Sequence, residues 1–184
     1  MSFDRDLVLH RAADLLSRKA TATQDEIARA AGISRATLHR HFAGRDSLIR
    51  ALEDLALRQL QEVADAARLD EGSATEALER LIEGSRPVAG FLAFLSTENQ
   101  LFEGEEVNAG WERLDARISA LFRRGQESGE FRLDLSPAWL TEALYGLVAA
   151  AAWTIQAGKT APRDYTMMIS GLLLGGAARR PPLH

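Results

Sequence analysis

Apolar residues recur along this chain at intervals of three and four positions, and this spacing predicts α-helices almost throughout. No sustained alternation of apolar and polar residues reaches the length of a strand. About nine helices are expected, beginning near positions 4, 23, 34, 44, 73, 87, 107, 136 and 162. The predicted fold class is therefore all-α.

Several predicted helix ends carry capping signals. The segments TQDE (23–26) and SATE (73–76) match the capping box, in which a hydroxyl and a glutamate each accept from a backbone N–H group of the first turn. Gly32 can adopt the left-handed conformation that ends a helix, and Ser136 followed by Pro137 is a strong start signal. The segment ENQLFEGEEVN (98–108) is acidic and rich in helix breakers, and it predicts a loop that contains a little helix.

The short helices on either side of Gly32 form a predicted helix-turn-helix, a unit whose second helix enters the DNA major groove. Apolar positions supply its buried face: Ile27, Ala28, Ala31, Ile33, Leu38 and Phe42. Arg35 is placed to read guanine with two N–H groups, and Arg45, which starts the next helix, to bind phosphate. The predicted DNA-binding residues are Gln24, Ser34, Arg35, Ala36, Thr37, His39, Arg40, His41 and Arg45.

Charge is distributed unevenly along the chain, whose net charge is −4. Residues 1–50 hold nine Lys and Arg against six Asp and Glu, and the remaining residues hold 13 against 20. A basic head on an acidic body favours contact between the head and a polyanion. One alternative is a helical hairpin with a solvated basic face. A metal site at His39 and His41 is disfavoured because residues two apart on a helix do not face each other.

Composition limits the function classes. With 184 residues, 46% hydrophobic and 26% charged, the chain predicts a well-packed protein. It has no cysteine, its N-terminus lacks a signal peptide's apolar core, and its longest apolar run is shorter than the ~20 residues of a membrane span. A cytoplasmic protein without membrane contact, metal or cofactor is expected. An enzyme is rejected because the body has a single histidine, His184, and no glycine-rich phosphate loop.

The segment IARAAGISRATLHRHFAGRDSLI resembles the signature of the tetracycline-repressor (TetR) family, and VLHRAADLLSRK is similar to that family's first helix. The resemblance covers about the first 50 residues. It implies a three-helix DNA-binding domain at 1–47, a larger helical ligand-binding and dimerisation domain at 48–184, and a homodimer.

Four positions depart from the family signature. His39 stands where the family usually has a tyrosine that contacts phosphate, which leaves the DNA contact of His39 open. Ala36 replaces a glycine, Gly44 replaces a capping serine, and Arg45 replaces a lysine while keeping its charge. The loop at 20–22 is also shorter than usual.

The body gives weaker signals. Candidate ligand-binding residues are Phe91, Phe94, Trp111, Ile118, Phe122, Leu144 and Tyr145, with ordinary helical core as the alternative. Two late helices contain small residues that allow close backbone approach. The resemblance implies that these helices form a four-helix dimer interface, and internal packing is the alternative. The candidate dimer residues are Ala149, Ala150, Trp153, Met168, Leu172 and Gly175.

We interpret the chain as a DNA-binding transcriptional regulator. The hypothesis is a repressor that binds a palindromic operator as a dimer and is released by an unknown small-molecule effector. The alternative is a DNA-bound adaptor whose C-terminal body binds a protein. A sizeable closed cavity in the body would favour the effector hypothesis over the adaptor.

Overall fold

A computed structural model describes residues 4–95 and 105–177, the side chains of 105–108 and 177 excepted. The described helices are α1 (Arg5–Arg18), α2 (Gln24–Ala30), α3 (Arg35–His41), α4 (Arg45–Ala66), α5 (Ala74–Ser85), α6 (Ala89–Leu95), α7 (Glu105–Glu127), α8 (Pro137–Gln156) and α9 (Tyr165–Ala177). Short 3₁₀ turns, Arg86–Val88 and Pro162–Asp164, precede α6 and α9. The all-α prediction is confirmed.

The predicted capping signals form as expected. Thr23 and Ser73 each complete a capping box with the glutamate three residues later. The Ser136 hydroxyl accepts from the backbone N–H of Trp139, and Gly32 has a φ of +71°. Helix α7 begins two residues before its predicted start, and the predicted loop segment 98–104 lies outside the described residues.

Buried apolar side chains form two clusters. The head core combines α1 to α3 with α4 as far as Ala56, and it also takes Phe91, Phe94 and Leu95 from α6. The body core begins at Leu57 of the same α4 and continues through α5 and α7 to α9. Because α4 runs unbroken from 45 to 66, the head core extends nine residues past the predicted domain boundary at 47/48.

Helix α8 contacts three other helices of the structure, α6, α7 and α9. One face of α8 is buried in the body core, by Leu140, Leu144, Val148 and Ala151. Its opposite face is apolar as well and points outward. Helix α9 covers α8 on one side and leaves part of its own apolar surface exposed.

Candidate nucleic-acid interface

Helix α3 is held by Leu38 and by its C-cap residue Phe42, and most of its remaining surface points outward. Leu38 and Phe42 are fully buried in the head core. The Ser34 hydroxyl caps the helix by accepting from the Thr37 backbone N–H at 3.0 Å. A seven-residue helix is too short to be stable alone. Its orientation therefore comes from this packing and from its contact with α2.

Most of the predicted DNA-binding residues lie on this outward surface. Five side chains are exposed, namely Arg35, Ala36, His39, Arg40 and His41. Thr37 is half-buried, and its hydroxyl pairs with the Ser34 hydroxyl at 2.9 Å. The surface therefore offers a row of cationic and hydrogen-bonding groups at the helix N-terminal half and beyond, which is the arrangement that major-groove readout requires.

Arg35 is loosely paired with Asp25 of α2. Its Nε lies 3.4 Å from the carboxylate, and the two side chains are 72% and 55% exposed. An exposed pair of this kind contributes little to stability, about 0–1 kcal/mol. Arg35 can therefore leave Asp25 for a base edge at small cost.

The side chains of Gln24 and Arg45 are turned toward the protein, unlike those of most other predicted DNA-binding residues. The Gln24 side-chain nitrogen is buried, with no hydrogen-bond partner among the described residues. The Arg45 guanidinium donates to the carbonyl of Ala20 at 2.7 Å and of Ala22 at 3.5 Å. Arg45 thus connects the start of α4 with the α1–α2 loop, an interaction that the sequence pattern did not indicate.

A second bond closes the same loop. Lys19 Nζ lies 2.6 Å from the Glu26 carboxylate. That bond, with the backbone and side-chain bonds from Thr23, lowers the pKa of Glu26 to about 2. The loop at 20–22 is therefore tied to α2 on one side and to α4 on the other. This fixes the crossing of the helices that carry the interface.

Helix α4 begins without a side-chain cap, because its N-cap residue is Gly44. Gly44 has a φ of +115°, a conformation that favours glycine over other residues. A serine there would place its hydroxyl on the first-turn N–H groups. Gly44 has no side chain to accept from these N–H groups. Their partial positive charge therefore favours an anion at this end of α4.

In the body, a small apolar cavity of about 20 Å³ lies between α4, α5, α6, α7 and α8. It has room for about one water molecule. Its lining residues are Leu60, Leu81, Ser85, Leu92, Leu114, Ile118, Leu144, Tyr145 and Val148. Three predicted ligand residues, Ile118, Leu144 and Tyr145, are thus brought together at one cavity.

The other predicted ligand residues are not part of this lining. Phe91 and Phe94 are buried in the head core, and Phe122 packs against Phe131 at 5.9 Å between ring centroids. Helical spacing correctly indicated that these rings are buried, but it could not indicate against which neighbours. Trp111 lies beside the cavity, with its ring edge-to-face on Tyr145 at 6.4 Å.

Two carboxylates near these rings were missed by the sequence reasoning. Glu53 of α4 is buried, with 4% of its surface exposed, and accepts from the Trp111 indole N–H at 3.3 Å. Asp115 accepts from the Tyr145 hydroxyl at 2.8 Å. Burial, and then the charge of Asp115, raise the pKa of Tyr145, so the phenol remains a neutral donor. The signal for Glu53 was an acid inside the apolar run of α4.

The predicted dimer residues lie on the outward faces of α8 and α9. Ala150, Trp153, Leu172 and Gly175 are exposed, whereas Ala149 and Met168 are half-buried. Trp139, Gly146 and Met167, which were not among the predicted residues, enlarge the same exposed apolar surface. A groove of about 460 Å³ between the two helices has Ala143, Gly146 and Gly176 among its lining residues.

A capped recognition helix on a buried apolar pair, joined to a helical body, defines a helix-turn-helix regulator. The family model for bacterial regulatory proteins of the tetR family matches residues 8–52. The transcriptional regulator NfxB of Pseudomonas aeruginosa is 32% identical over 180 residues, which cover 97% of this chain and 96% of NfxB. The transcriptional repressor LfrR of Mycolicibacterium smegmatis is 28% identical over 164 residues, 87% of this chain and 79% of LfrR.

Solved structures agree in fold. The crystal structure of LfrR from Mycobacterium smegmatis in complex with proflavine has a TM-score of 0.75 at 24% identity, over 96% of this chain and 98% of that one. PfmR from Thermus thermophilus has a TM-score of 0.71 at 22% identity, over 98% and 100%. The chain belongs to the TetR family and is a DNA-binding transcriptional regulator, not an enzyme.

Proposed function

We propose that two copies of this chain repress transcription by binding a palindromic DNA operator, one α3 helix in each half-site. The observation that carries the proposal is the outward surface of α3. Arg35, His39 and Arg40 are exposed on this helix, while Leu38 and Phe42 pack it against the head core. We assign residues 1–47 to DNA binding and 48–184 to effector binding and dimerisation. Arg35 reads bases, and Arg40 and the start of α4 contact phosphate.

The experiment is selection of genomic fragments that the purified protein retains, followed by binding measurements on the recovered site. An inverted repeat is expected, with half-site centres about one helical turn, or a multiple of it, apart. Arg35→Ala should weaken binding to that site by about 1–3 kcal/mol and relax the preference at one base position per half-site. Fragments without an inverted repeat would contradict this arrangement. An Arg35→Ala variant whose binding to scrambled DNA falls as much as its binding to the recovered site would contradict it as well.

The dimer forms, in this proposal, through the exposed apolar faces of α8 and α9. By length and composition α8 also meets the criterion for a membrane-spanning helix, as core helices of many proteins do. Among the described residues, one of its faces is covered within the protomer, and Trp139 and Trp153 remain 60% and 53% exposed on the other. A partner copy would remove this surface from water, as expected of a protein in the cytoplasm.

The effector in this proposal is a planar aromatic cation that enters beside Tyr145. Support comes from the apolar cavity, the edge-to-face pair Trp111 and Tyr145, and the carboxylates of Glu53 and Asp115 at the indole N–H and the phenol. Aromatic faces and carboxylates together bind organic cations. The LfrR relative was crystallised with proflavine, a planar aromatic cation. Because the cavity measures about 20 Å³, binding requires side chains to move and a second conformation to be selected.

Proflavine is the probe for the effector. We expect proflavine to raise Tm and to weaken operator binding. We expect Glu53→Gln to lower the affinity for proflavine about tenfold, or ~1.4 kcal/mol. Glutamine retains an acceptor for the Trp111 N–H and removes only the charge. Asp54→Asn on the same helix is the control and should bind proflavine as the wild type does. Equal affinity for Glu53→Gln and the wild type would contradict the cation site.

The small cavity also supports a second candidate function, a DNA-bound adaptor whose body binds a protein. A body whose apolar interior cavity measures about 20 Å³ fits a partner on its surface better than a molecule in that cavity. The two functions differ in the proflavine measurement. If proflavine changes neither Tm nor operator affinity, and a panel of other aromatic cations also changes neither, the adaptor becomes the better explanation.

A further inference from the structure

Helix α1 of the head rests on the body at two polar positions that the proposed function does not use. His10 and Ser17 are seven residues apart on α1, which places them two turns apart on one face. His10 meets α4 and α6, and Ser17 meets the end of α8. These three body helices line the cavity or carry the outward apolar face.

The contacts of His10 specify one form of its ring. Nδ1 lies 2.8 Å from the Asp6 carbonyl oxygen, which can only accept, so Nδ1 carries the proton. Nε2 then accepts from the Gln59 side-chain nitrogen, 3.1 Å away on α4. The imidazole also meets Phe91 edge-to-face, at 5.3 Å between centroids. Three helices are therefore joined at one side chain.

Helix α6 belongs to both cores, and this links His10 to the cavity. Leu92 of α6 lines the cavity, while its neighbour Phe91 packs in the head core against His10. Phe94 and Leu95 follow Phe91 into the head core. Because α6 is a single seven-residue helix, a displacement of Leu92 is expected to move Phe91 with it.

The second contact comes from α8. The Gln156 side-chain nitrogen donates to the Ser17 hydroxyl at 2.7 Å, and that hydroxyl donates to the Asp14 carbonyl at 3.1 Å. Gln156 is the last residue of α8, the helix that carries the proposed dimer face. Ser17 therefore ties the head to the element that fixes where the partner copy lies.

We propose that His10 and Ser17 are the positioning residues that set the angle of the DNA-binding head: His10 transmits the state of the cavity through α6, and Ser17 holds α1 to α8. The inference rests on the proposed function, in which the two α3 helices of a dimer bind half-sites at a fixed spacing, so that the distance between the two heads affects operator binding. Coupling of this kind requires an element that both sites bias, and α6, which has side chains in the head core and at the cavity, is the element so placed. Substituting His10 should reduce the coupling while leaving the cavity intact.

The first test fills the cavity without any ligand. Val148→Phe adds volume on the α8 wall of the cavity that Leu92 of α6 also lines, and it should raise the operator Kd about tenfold, within the usual range of allosteric coupling. In a His10→Ala background the same change should raise Kd less than about twofold. Leu7→Ala, at an exposed α1 residue outside both core clusters as described, is the control and should retain the full effect.

An equal penalty in the His10→Ala and wild-type backgrounds would overturn the proposal, and so would a folded Val148→Phe variant with unchanged operator affinity. If Val148→Phe does not fold, Ile118→Phe fills the same cavity from α7 and replaces it. The Ser17 contact has its own readout. Gln156→Ala should alter operator affinity while keeping the penalty of Val148→Phe, and loss of that penalty in Gln156→Ala would contradict the separate roles.

A second test uses proflavine on the intact protein. In the wild type, bound operator should raise the Kd for proflavine. In His10→Ala the ratio of the proflavine Kd with operator to that without operator should be close to one, while the Kd without DNA is unchanged. A merely structural role of His10 would change the DNA-free affinity as well. If the wild type does not bind proflavine, the effector part of the proposed function fails, and the cavity-filling variants still decide the inference.

Discussion

The guanidinium of Arg45 faces the protein at the position where the family's usual lysine was expected to reach phosphate. It donates to the carbonyls of Ala20 and Ala22, in the loop that is shorter than usual for the family. A lysine has one donor group and cannot span two carbonyls with a planar fork. The arginine and the short loop therefore fit each other. At this residue a departure from the signature carries a structural contact in addition to a charge.

We predict that Arg45→Ala destabilises the protein in the absence of DNA. The expected loss is roughly 1–2 kcal/mol, the low end for charged hydrogen bonds because the guanidinium is partly exposed, or about 2–8 °C in Tm. Thermal unfolding of Arg45→Ala beside Arg40→Ala, an exposed arginine of α3, measures it. If Tm is unchanged and only the salt dependence of DNA binding falls, Arg45 acts on phosphate alone, as its position in the sequence suggested.

At the element scale, the α2 capping box should make the head sensitive to acid. The bonds from Lys19 and Thr23 hold the pKa of Glu26 at about 2, well below its ordinary value of 4.5. A depressed pKa stabilises the folded state above pH 4.5, and this contribution is lost as the pH falls toward 2. Glu26→Gln should therefore be less stable than the wild type at pH 7, and the difference should shrink between pH 4.5 and 2.

Urea unfolding of Glu26→Gln and the wild type across this pH window measures the effect. Asp25→Asn is the control, because it removes an adjacent acid of α2 that lies outside the capping box. Parallel pH profiles for Glu26→Gln and the wild type would show that the bonds around Glu26 contribute nothing in solution.

The helices themselves were predictable from the sequence, because caps and turns act over three or four residues. The box at Thr23, the left-handed Gly32 and the Ser34 cap are each specified by neighbours in the chain. The residues that line the cavity were not predictable in this way. Periodicity marked Phe91 as buried, yet it packs in the head core while the adjacent Leu92 lines the cavity. Such a division depends on how helices distant in sequence cross, and no local signal records it.

At the scale of the whole molecule, α8 is apolar on two opposite faces. Leu144 and Val148 are buried in the body core, whereas Trp139, Gly146 and Trp153 lie on the outward face. A helix with two apolar faces removes both from water only when each face is covered by a neighbour. Leu172 of α9, which is 66% exposed, lines the same groove as Trp139 and Gly146, and contiguous exposed apolar surface marks an interaction site.

We therefore predict that Ala150→Arg converts a dimer into monomers or aggregates, because a bulky charge on the outward face of α8 would be buried unpaired between two closely packed helices. Sedimentation at micromolar concentration measures the change. Ala66→Arg places the same side chain at an exposed alanine of α4 and should remain dimeric. Because the operator is proposed to be palindromic, the Ala150→Arg monomer should also lose most of its affinity for the full site while keeping that for a half-site. A wild type that sediments as a monomer, or an Ala150→Arg dimer, would move the interface away from α8 and leave its outward face unexplained.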